Sequence, residues 1–284
     1  MSETQESRDA AVTTREWHLA GAAGHLYARA WIHPSREPDH LVVLVHGYGE
    51  HIGRYDHVAA NLVAAGAVVY GLDHQGHGRS AGPRVDIADL APVVTDVHRL
   101  VAQARTAYRH LPLVVLGHSV GGLIATRYAQ QYAGDMAGLV LSGPVLGRWS
   151  ALQALLEHPE LRDAPLDPAA LSRDPEVATS YANDELVWHG GFQERTLRAL
   201  QTELARVAAA GNLETLPTLW LHGAADSIVP VQETIVGIGN LLGSEGFDLA
   251  ARIYPDARHE IFNEVNRTEV LAEVRAFIAR VRGV

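Results

Sequence analysis

The chain has 284 residues, 47% of them hydrophobic and 20% charged, with a formal net charge of −10. That length suits one large α/β domain carrying an insertion, and the negative charge repels nucleic acid or an acidic membrane as a partner held by bulk electrostatics. Cysteine and lysine are both absent, which removes thiol nucleophiles, disulfides, thiolate metal sites and Schiff-base chemistry and leaves serine as the leading covalent nucleophile.

Residues 1–14 are polar, carry Glu3, Glu6, Arg8 and Asp9, and have no apolar stretch of the signal-peptide kind. They read as a flexible N-terminus of a cytoplasmic or membrane-peripheral protein. No uninterrupted apolar run reaches bilayer-spanning length. Segments 15–19 and 26–32 alternate apolar with polar residues around Gly21 and Gly24, which predicts an antiparallel hairpin at a sheet edge. Segment 41–45, Leu-Val-Val-Leu-Val, is apolar on both faces, as a central parallel strand requires. Helix-spaced Val58, Leu62 and Val63 precede a second buried strand at 67–72, and a helix is expected over 87–109.

The next strand stops abruptly. Segment 113–116 is apolar, Gly117-His118-Ser119-Val120-Gly121 cuts it off, and a helix-compatible run to about Tyr132 follows at once. This is a nucleophile-elbow pattern, in which Gly117 and Gly121 must be small for strand and helix to pass one another. Such a pattern arises by chance in roughly one chain in ten of this length, so an acid, a base and an oxyanion hole must support it.

A further strand is expected at 137–142. From Arg148 to Leu213 the strand–helix rhythm breaks: the stretch has prolines 159, 165, 168 and 175 and amphipathic runs at 151–156 and 194–207. Strands resume at 217–223 and 248–254, and a helix is expected over 264–280. The alternation predicts a mostly parallel sheet flanked by helices, with core segments 15–147 and 214–284 and a helical cap, 148–213, inserted after the sixth strand.

In open parallel sheets, functional side chains gather beyond the carboxyl ends of the strands. Asp226 follows the strand ending at Gly223, and His259 follows the one ending at Tyr254. The order Ser119, Asp226, His259 is that of the α/β-hydrolases. Ser119 is then the nucleophile, His259 the general base and acid, and Asp226 the residue that orients the imidazole. Asp256 is a competing acid only three residues before His259. The backbone N–H groups of Tyr48 and Val120 are the expected oxyanion donors. His46, His51, His74 and His77 raise the thought of a metal hydrolase, but no carboxylate-rich signature accompanies them, so neither metal nor cofactor is expected.

Several motifs in order, His46-Gly-Tyr-Gly-Glu-His51, Asp73-His-Gln-Gly-His-Gly-Arg-Ser80, Gly117-His-Ser-Val-Gly-Gly122, Leu171-Ser-Arg-Asp-Pro-Glu176 and Tyr181-Ala-Asn-Asp184, resemble the monoacylglycerol lipases. These belong to the lysophospholipase-like α/β-hydrolases. The resemblance implies an intracellular or membrane-peripheral serine esterase that splits monoacylglycerols without a cofactor. It also implies a glycerol pocket near Glu50, Arg54, Tyr181 and Asn183; the alternative for Glu50 and Arg54 is a pair that holds their loop. The segment between Pro144 and Leu171 is shorter than in relatives with a long lid helix. Leu152, Leu155, Leu156, Val187, Trp188 and Phe192 line an acyl tunnel, form an apolar rim that touches a membrane or lipid-droplet surface, or, for some of them, belong to the core. A broader carboxylesterase, a lysophospholipase and a non-catalytic member of the fold are the alternatives; an epoxide hydrolase or dehalogenase would carry aspartate in place of Ser119.

Overall fold

The computed structural model describes residues 12–242 and 247–283. Its frame is an eight-stranded sheet in the order β1-β2-β4-β3-β5-β6-β7-β8. The strands are β1 (Thr13–Gly21), β2 (Gly24–Ile32), β3 (His40–Val45), β4 (Ala67–Leu72), β5 (Leu113–His118), β6 (Gly138–Ser142), β7 (Thr218–Gly223) and β8 (Leu249–Tyr254). The β1–β2 hairpin lies at the edge and joins β4 antiparallel; every other pairing is parallel. The expected N-terminal segment 1–14 lies outside the described residues up to 11. From Thr13 the chain is already in β1, so the core begins earlier than expected.

The helices are α1 (Asp56–Ala64), α2 (Ala91–Ala107), α3 (Val120–Tyr132), α4 (Ser150–Glu157), α5 (Pro175–Asn183), α6 (Glu194–Ala210), α7 (Val231–Leu241) and α8 (Arg267–Val281). Central strands are buried on both faces because successive side chains point to opposite layers. Val115 and Leu113 pack with α2 and α3, whereas Val114 and Leu116 pack with α1 and α8. Helix α2 starts at Ala91 rather than 87, with Pro92 in its first turn and the Asp89 carboxylate accepting from Ala91 N–H at 3.1 Å. Helix α8 starts at Arg267 rather than 264, because the Glu264 carboxylate turns inward to accept from Arg258 N–H (2.8 Å) and Arg173 Nε–H (2.9 Å).

Helices α4 to α6 lie in the long connection between β6 and β7, where the break in rhythm predicts them. Polar ties anchor this insertion to the strand ends: Glu260 N–H donates to Leu171 O at 2.8 Å, and His51 Nε2 lies 2.8 Å from Asp184 Oδ2. Leu152 is buried in the main core, against which Leu155 and Leu156 also pack, and Val187 is buried in a small cluster with Leu171 and Tyr181. None of the four lines the pocket described below. Among the described residues, no helix is long and apolar enough to cross a membrane.

Leu116 is fully buried at the centre of the sheet, paired in register with Leu44 and Val140. Leu116→Ala is expected to destabilise the fold by about 2–5 kcal/mol through lost transfer energy plus the cavity left behind. Urea unfolding of parent and variant measures this, and a difference below about 1 kcal/mol would show that the site collapses to fill the void.

Candidate active site

Four strand ends on one edge of the sheet supply the site. β5 ends at His118 and α3 begins at Val120, so Ser119 alone makes the turn, at φ 56° and ψ −121°. That is a strained backbone for a residue with a side chain. The turn is fixed by Ser119 N–H donating to Ser142 O (3.0 Å) and by Ser119 O accepting from Gly122 N–H (2.9 Å) and Val145 N–H (3.0 Å). A Cβ on Gly117 would collide with the Gly121 carbonyl, and one on Gly121 with the Val45 carbonyl, so strand and helix cross only because both are glycine.

His259 Nε2 lies 2.9 Å from Ser119 Oγ, and His259 Nδ1 lies 2.7 Å from Asp226 Oδ2. All three residues are buried. Asp226 is aimed by its other oxygen, Oδ1, which accepts from the N–H groups of Ile228 and Val229, each at 2.9 Å. Burial alone would raise the Asp226 carboxyl, but the neighbouring His259 and His222 hold it well below the usual range. Burial likewise depresses His259, and the Asp226 charge and hydrogen bond more than offset this, with Glu260 and Glu50 adding to the effect; the imidazole ends up above its ordinary value. Asp256 is exposed and reaches only Arg173, at 4.0 Å, so the structure does not bring the competing acid to His259.

The loop after β3 packs on the serine: a Cβ on Gly47 would lie 3.2 Å from Ser119 Cβ. Gly47 is pinned at both its polar groups. Its N–H donates to Glu50 Oε1 at 2.7 Å, and its carbonyl lies 2.8 Å from His46 Nδ1. His46 Nε2 accepts from His74 N–H at 3.0 Å, so the ring proton is on Nδ1 and is donated to Gly47 O. In a trans peptide C=O and N–H point opposite ways, so holding Gly47 O toward His46 turns Tyr48 N–H the other way. Among the described residues, neither Tyr48 N–H nor Val120 N–H donates to a protein acceptor, and both residues line the same pocket as Ser119.

The expected histidine cluster is a packing unit. The rings of His46 and His74 lie 4.1 Å apart, and His74 Nε2 is 3.1 Å from His46 O. Burial pushes His74 down to about 3 and His77 to about 4, so these rings stay neutral. Among the described residues, no group of three or more His, Cys, Asp or Glu side chains is placed to hold a metal ion.

The pocket, about 630 Å³ including its open mouth, is lined by two chemically distinct sets of side chains. Trp149, Leu166, Phe192 and Ile228 form an apolar wall, with Trp149 Nε1–H anchored to Ile228 O at 2.8 Å. Among the polar lining the Arg54 guanidinium grips Glu260 through both Nη atoms (2.6 and 2.7 Å) and Glu50 through Nη1 (2.9 Å). It also lies 5.2 Å from the centre of the Tyr181 ring. Burial pushes Glu50 up, with Arg54 opposing; Arg54 holds Glu260 well below the usual carboxylate range despite its burial. Glu50 and Arg54 therefore line the pocket and also brace its loop. Tyr181 is buried against them, and the Tyr55 hydroxyl donates to Glu50 Oε1 at 2.8 Å.

Asn183 stands apart. It is exposed at the end of α5, with its amide donating to Thr179 O at 2.8 Å, and it does not line the pocket. Two residues beyond Tyr181 is about half a helical turn, which turns Asn183 to the opposite face of α5. Glu260 and Trp149 carry much of the pocket yet give no signal in the sequence beyond Glu260 being the neighbour of His259. His118 also lines it; burial and the adjacent His259 push it down to about 3.

Residues 36–266 match the family described as serine aminopeptidase, S33. The monoacylglycerol lipase of Mycolicibacterium smegmatis is 38% identical over 280 residues, covering 94% of this chain and 97% of that protein. The human monoglyceride lipase is 32% identical over 259 residues, covering 87% and 84%. Among solved structures, the monoacylglycerol lipase of Paleococcus ferrophilus superposes with a TM-score of 0.74 at 26% identity, over 90% of this chain and 99% of that one. With a buried serine hydrogen-bonded to a histidine and that histidine to an aspartate, on a sheet of this order, the chain belongs to the monoacylglycerol lipase family of α/β-hydrolases.

Proposed function

We propose that this enzyme is a carboxylic ester hydrolase that cleaves monoacylglycerols to fatty acid and glycerol, with Ser119, His259 and Asp226 as its catalytic triad. The observation that carries the reading is the mixed lining of the pocket around Ser119: apolar side chains on which an alkyl chain can lie, and a polar group built on Glu50, Arg54, Tyr181 and Glu260. The names of the relatives point the same way.

His259 Nε2 takes the Ser119 proton as Oγ attacks the ester carbonyl. The oxygen that becomes negative is received by the N–H groups of Tyr48 and Val120, donors aimed before the reaction begins. Asp226 keeps the His259 proton on Nδ1 and stabilises the imidazolium. The imidazolium then gives its Nε2 proton to the departing glycerol oxygen, the acyl–serine remains, and glycerol leaves. Water enters, loses a proton to His259, and attacks the acyl carbonyl. Fatty acid departs as the proton returns to Ser119 Oγ.

Burial pushes the Tyr181 phenol up to about 12, so it keeps its proton and serves as a donor for a glycerol hydroxyl. Glu50 and Arg54 shape the polar part of the lining, and the insertion acts as the cap over the acyl chain. Asn183 has no part in this reading. Mono-, di- and triacylglycerols, lysophospholipids and simple esters, compared with purified protein, test it. Monoacylglycerol should exceed the di- and triacyl substrates and lysophospholipids in kcat/KM by about 10-fold or more, the low end of what pocket contacts discriminate. A lysophospholipid turned over as well as monoacylglycerol would favour the lysophospholipase alternative.

A further inference from the structure

The loop carrying Tyr48 has glycine on both sides, Gly47 and Gly49, and Gly49 sits at φ +77°. Such a loop has little stiffness of its own, so contacts must supply its shape. The core supplies part of it through His46 and Glu50 at Gly47. The insertion supplies the rest.

Trp188 N–H donates to Gly49 O at 2.7 Å. The Phe192 ring is stacked on the Tyr48 ring, with centroids 4.8 Å apart and planes 14° from parallel. The edge of His77 meets Tyr48 at 5.8 Å, so the phenol is held between insertion and core. The Tyr48 hydroxyl lies 3.4 Å from both Gly191 O and Gln193 N. Segment 188–193 is itself braced: Trp188 Nε1–H donates to Gly191 O at 2.8 Å, and Phe192 N–H donates to Arg162 O at 2.9 Å.

We propose that Phe192 is a positioning residue of the oxyanion hole. By stacking on Tyr48, in concert with the Trp188–Gly49 bond, it fixes the backbone on both sides of the Tyr48 N–H, so the hole is aimed only while segment 188–193 is seated. This rests on the reading of Tyr48 N–H as an oxyanion donor. It gives Phe192 a role in the chemical step that is separate from any contact with an acyl chain.

p-Nitrophenyl acetate tests it, because an acetyl group has no chain to lay against Phe192. Losing an oxyanion donor outright costs about 10²–10³ in kcat, so a misaimed one in Phe192→Ala should lower kcat about 10-fold or more while KM changes less than about 2-fold. Binding of a trifluoromethyl ketone, whose adduct with the serine carries the oxyanion, should weaken in parallel with kcat. Phe192→Tyr, which keeps the ring, should restore most of the rate. Tyr48→Ala removes the ring yet keeps the backbone N–H; it should repeat the loss, and the double variant should lose little more.

An unchanged kcat on acetate in Phe192→Ala, with KM raised only for long-chain esters, would reduce Phe192 to an acyl contact and overturn the proposal. If Phe192→Ala fails to fold, full acetate activity in Tyr48→Ala overturns it instead. Acetate hydrolysis that survives Ser119→Ala would sink the serine-hydrolase reading itself, which separates that failure from this one.

Discussion

Ser119→Ala is expected to lower kcat on monoacylglycerols and on p-nitrophenyl esters alike by about 10⁶-fold, the scale observed when a triad serine is lost. The chain has no cysteine or lysine to take over, and His259 Nε2 faces Ser119 Oγ at 2.9 Å, with no other side chain of the described residues hydrogen-bonded to that nitrogen. Whatever activity remains would come from the oxyanion hole and binding acting on water, typically 10³–10⁴-fold over the uncatalysed rate. Labelling by a fluorophosphonate should vanish in the same variant. Activity above about 1% of parent, with a contaminating esterase excluded, would remove Ser119 from the mechanism.

Ser119→Gly separates chemistry from backbone strain. It should be as inactive as Ser119→Ala. At φ 56° a residue with a Cβ carries strain of about 1–3 kcal/mol, whereas glycine gives back about 0.5–1 kcal/mol through its freer unfolded chain. The glycine variant should therefore be the more stable of the two by about 1 kcal/mol. Equal or lower stability in urea would mean that the elbow is relaxed by its hydrogen bonds to Ser142, Gly122 and Val145.

The parts of the molecule that were legible in the sequence are those set by local pattern. Segments 41–45 and 113–116 are apolar on both faces, and β3 and β5 lie at the centre of the sheet. The alternation of 15–19 and 26–32 places a half-wet hairpin at the edge. Ser119, Asp226 and His259 were legible for a topological reason: parallel strands bring all their C-terminal ends to one edge, so residues 140 and 33 apart in the chain meet in one line of hydrogen bonds. Asn183 misled because a motif shared with a family does not say which face of a helix looks inward. Glu260 left no trace because its worth depends on Arg54, 206 residues away. An ion pair of that separation has no periodicity and no spacing; it exists only once β3 and β8 have placed their loops side by side. The coupling of Tyr48 to Phe192 is hidden in the same way, since it joins a core loop to an insertion whose helices show no regular rhythm.

The second large effect is expected from Asp226→Asn, about 10⁴-fold in kcat, with little change in fold. Asp226 Oδ1 is committed to the N–H groups of Ile228 and Val229. The amide oxygen of the substituted side chain keeps those bonds, which turns its NH₂ toward His259 Nδ1. A donor facing Nδ1 requires a lone pair there, and the ring proton moves to Nε2. An imidazole protonated on Nε2 cannot accept the Ser119 proton, although every distance in the site is preserved. The pH profile gives an independent check. His259 is raised above its ordinary 6.5 because the Asp226 charge outweighs burial, and it must be neutral to act as base. Parent kcat/KM should therefore rise with pH through an inflection above that value. In Asp226→Asn the raising influence is largely lost while burial persists, so the inflection of the residual activity should move to lower pH. A variant within about 10-fold of parent, or one whose inflection stays in place, would mean that His259 takes its orientation and charge from Glu260 and Glu50 instead.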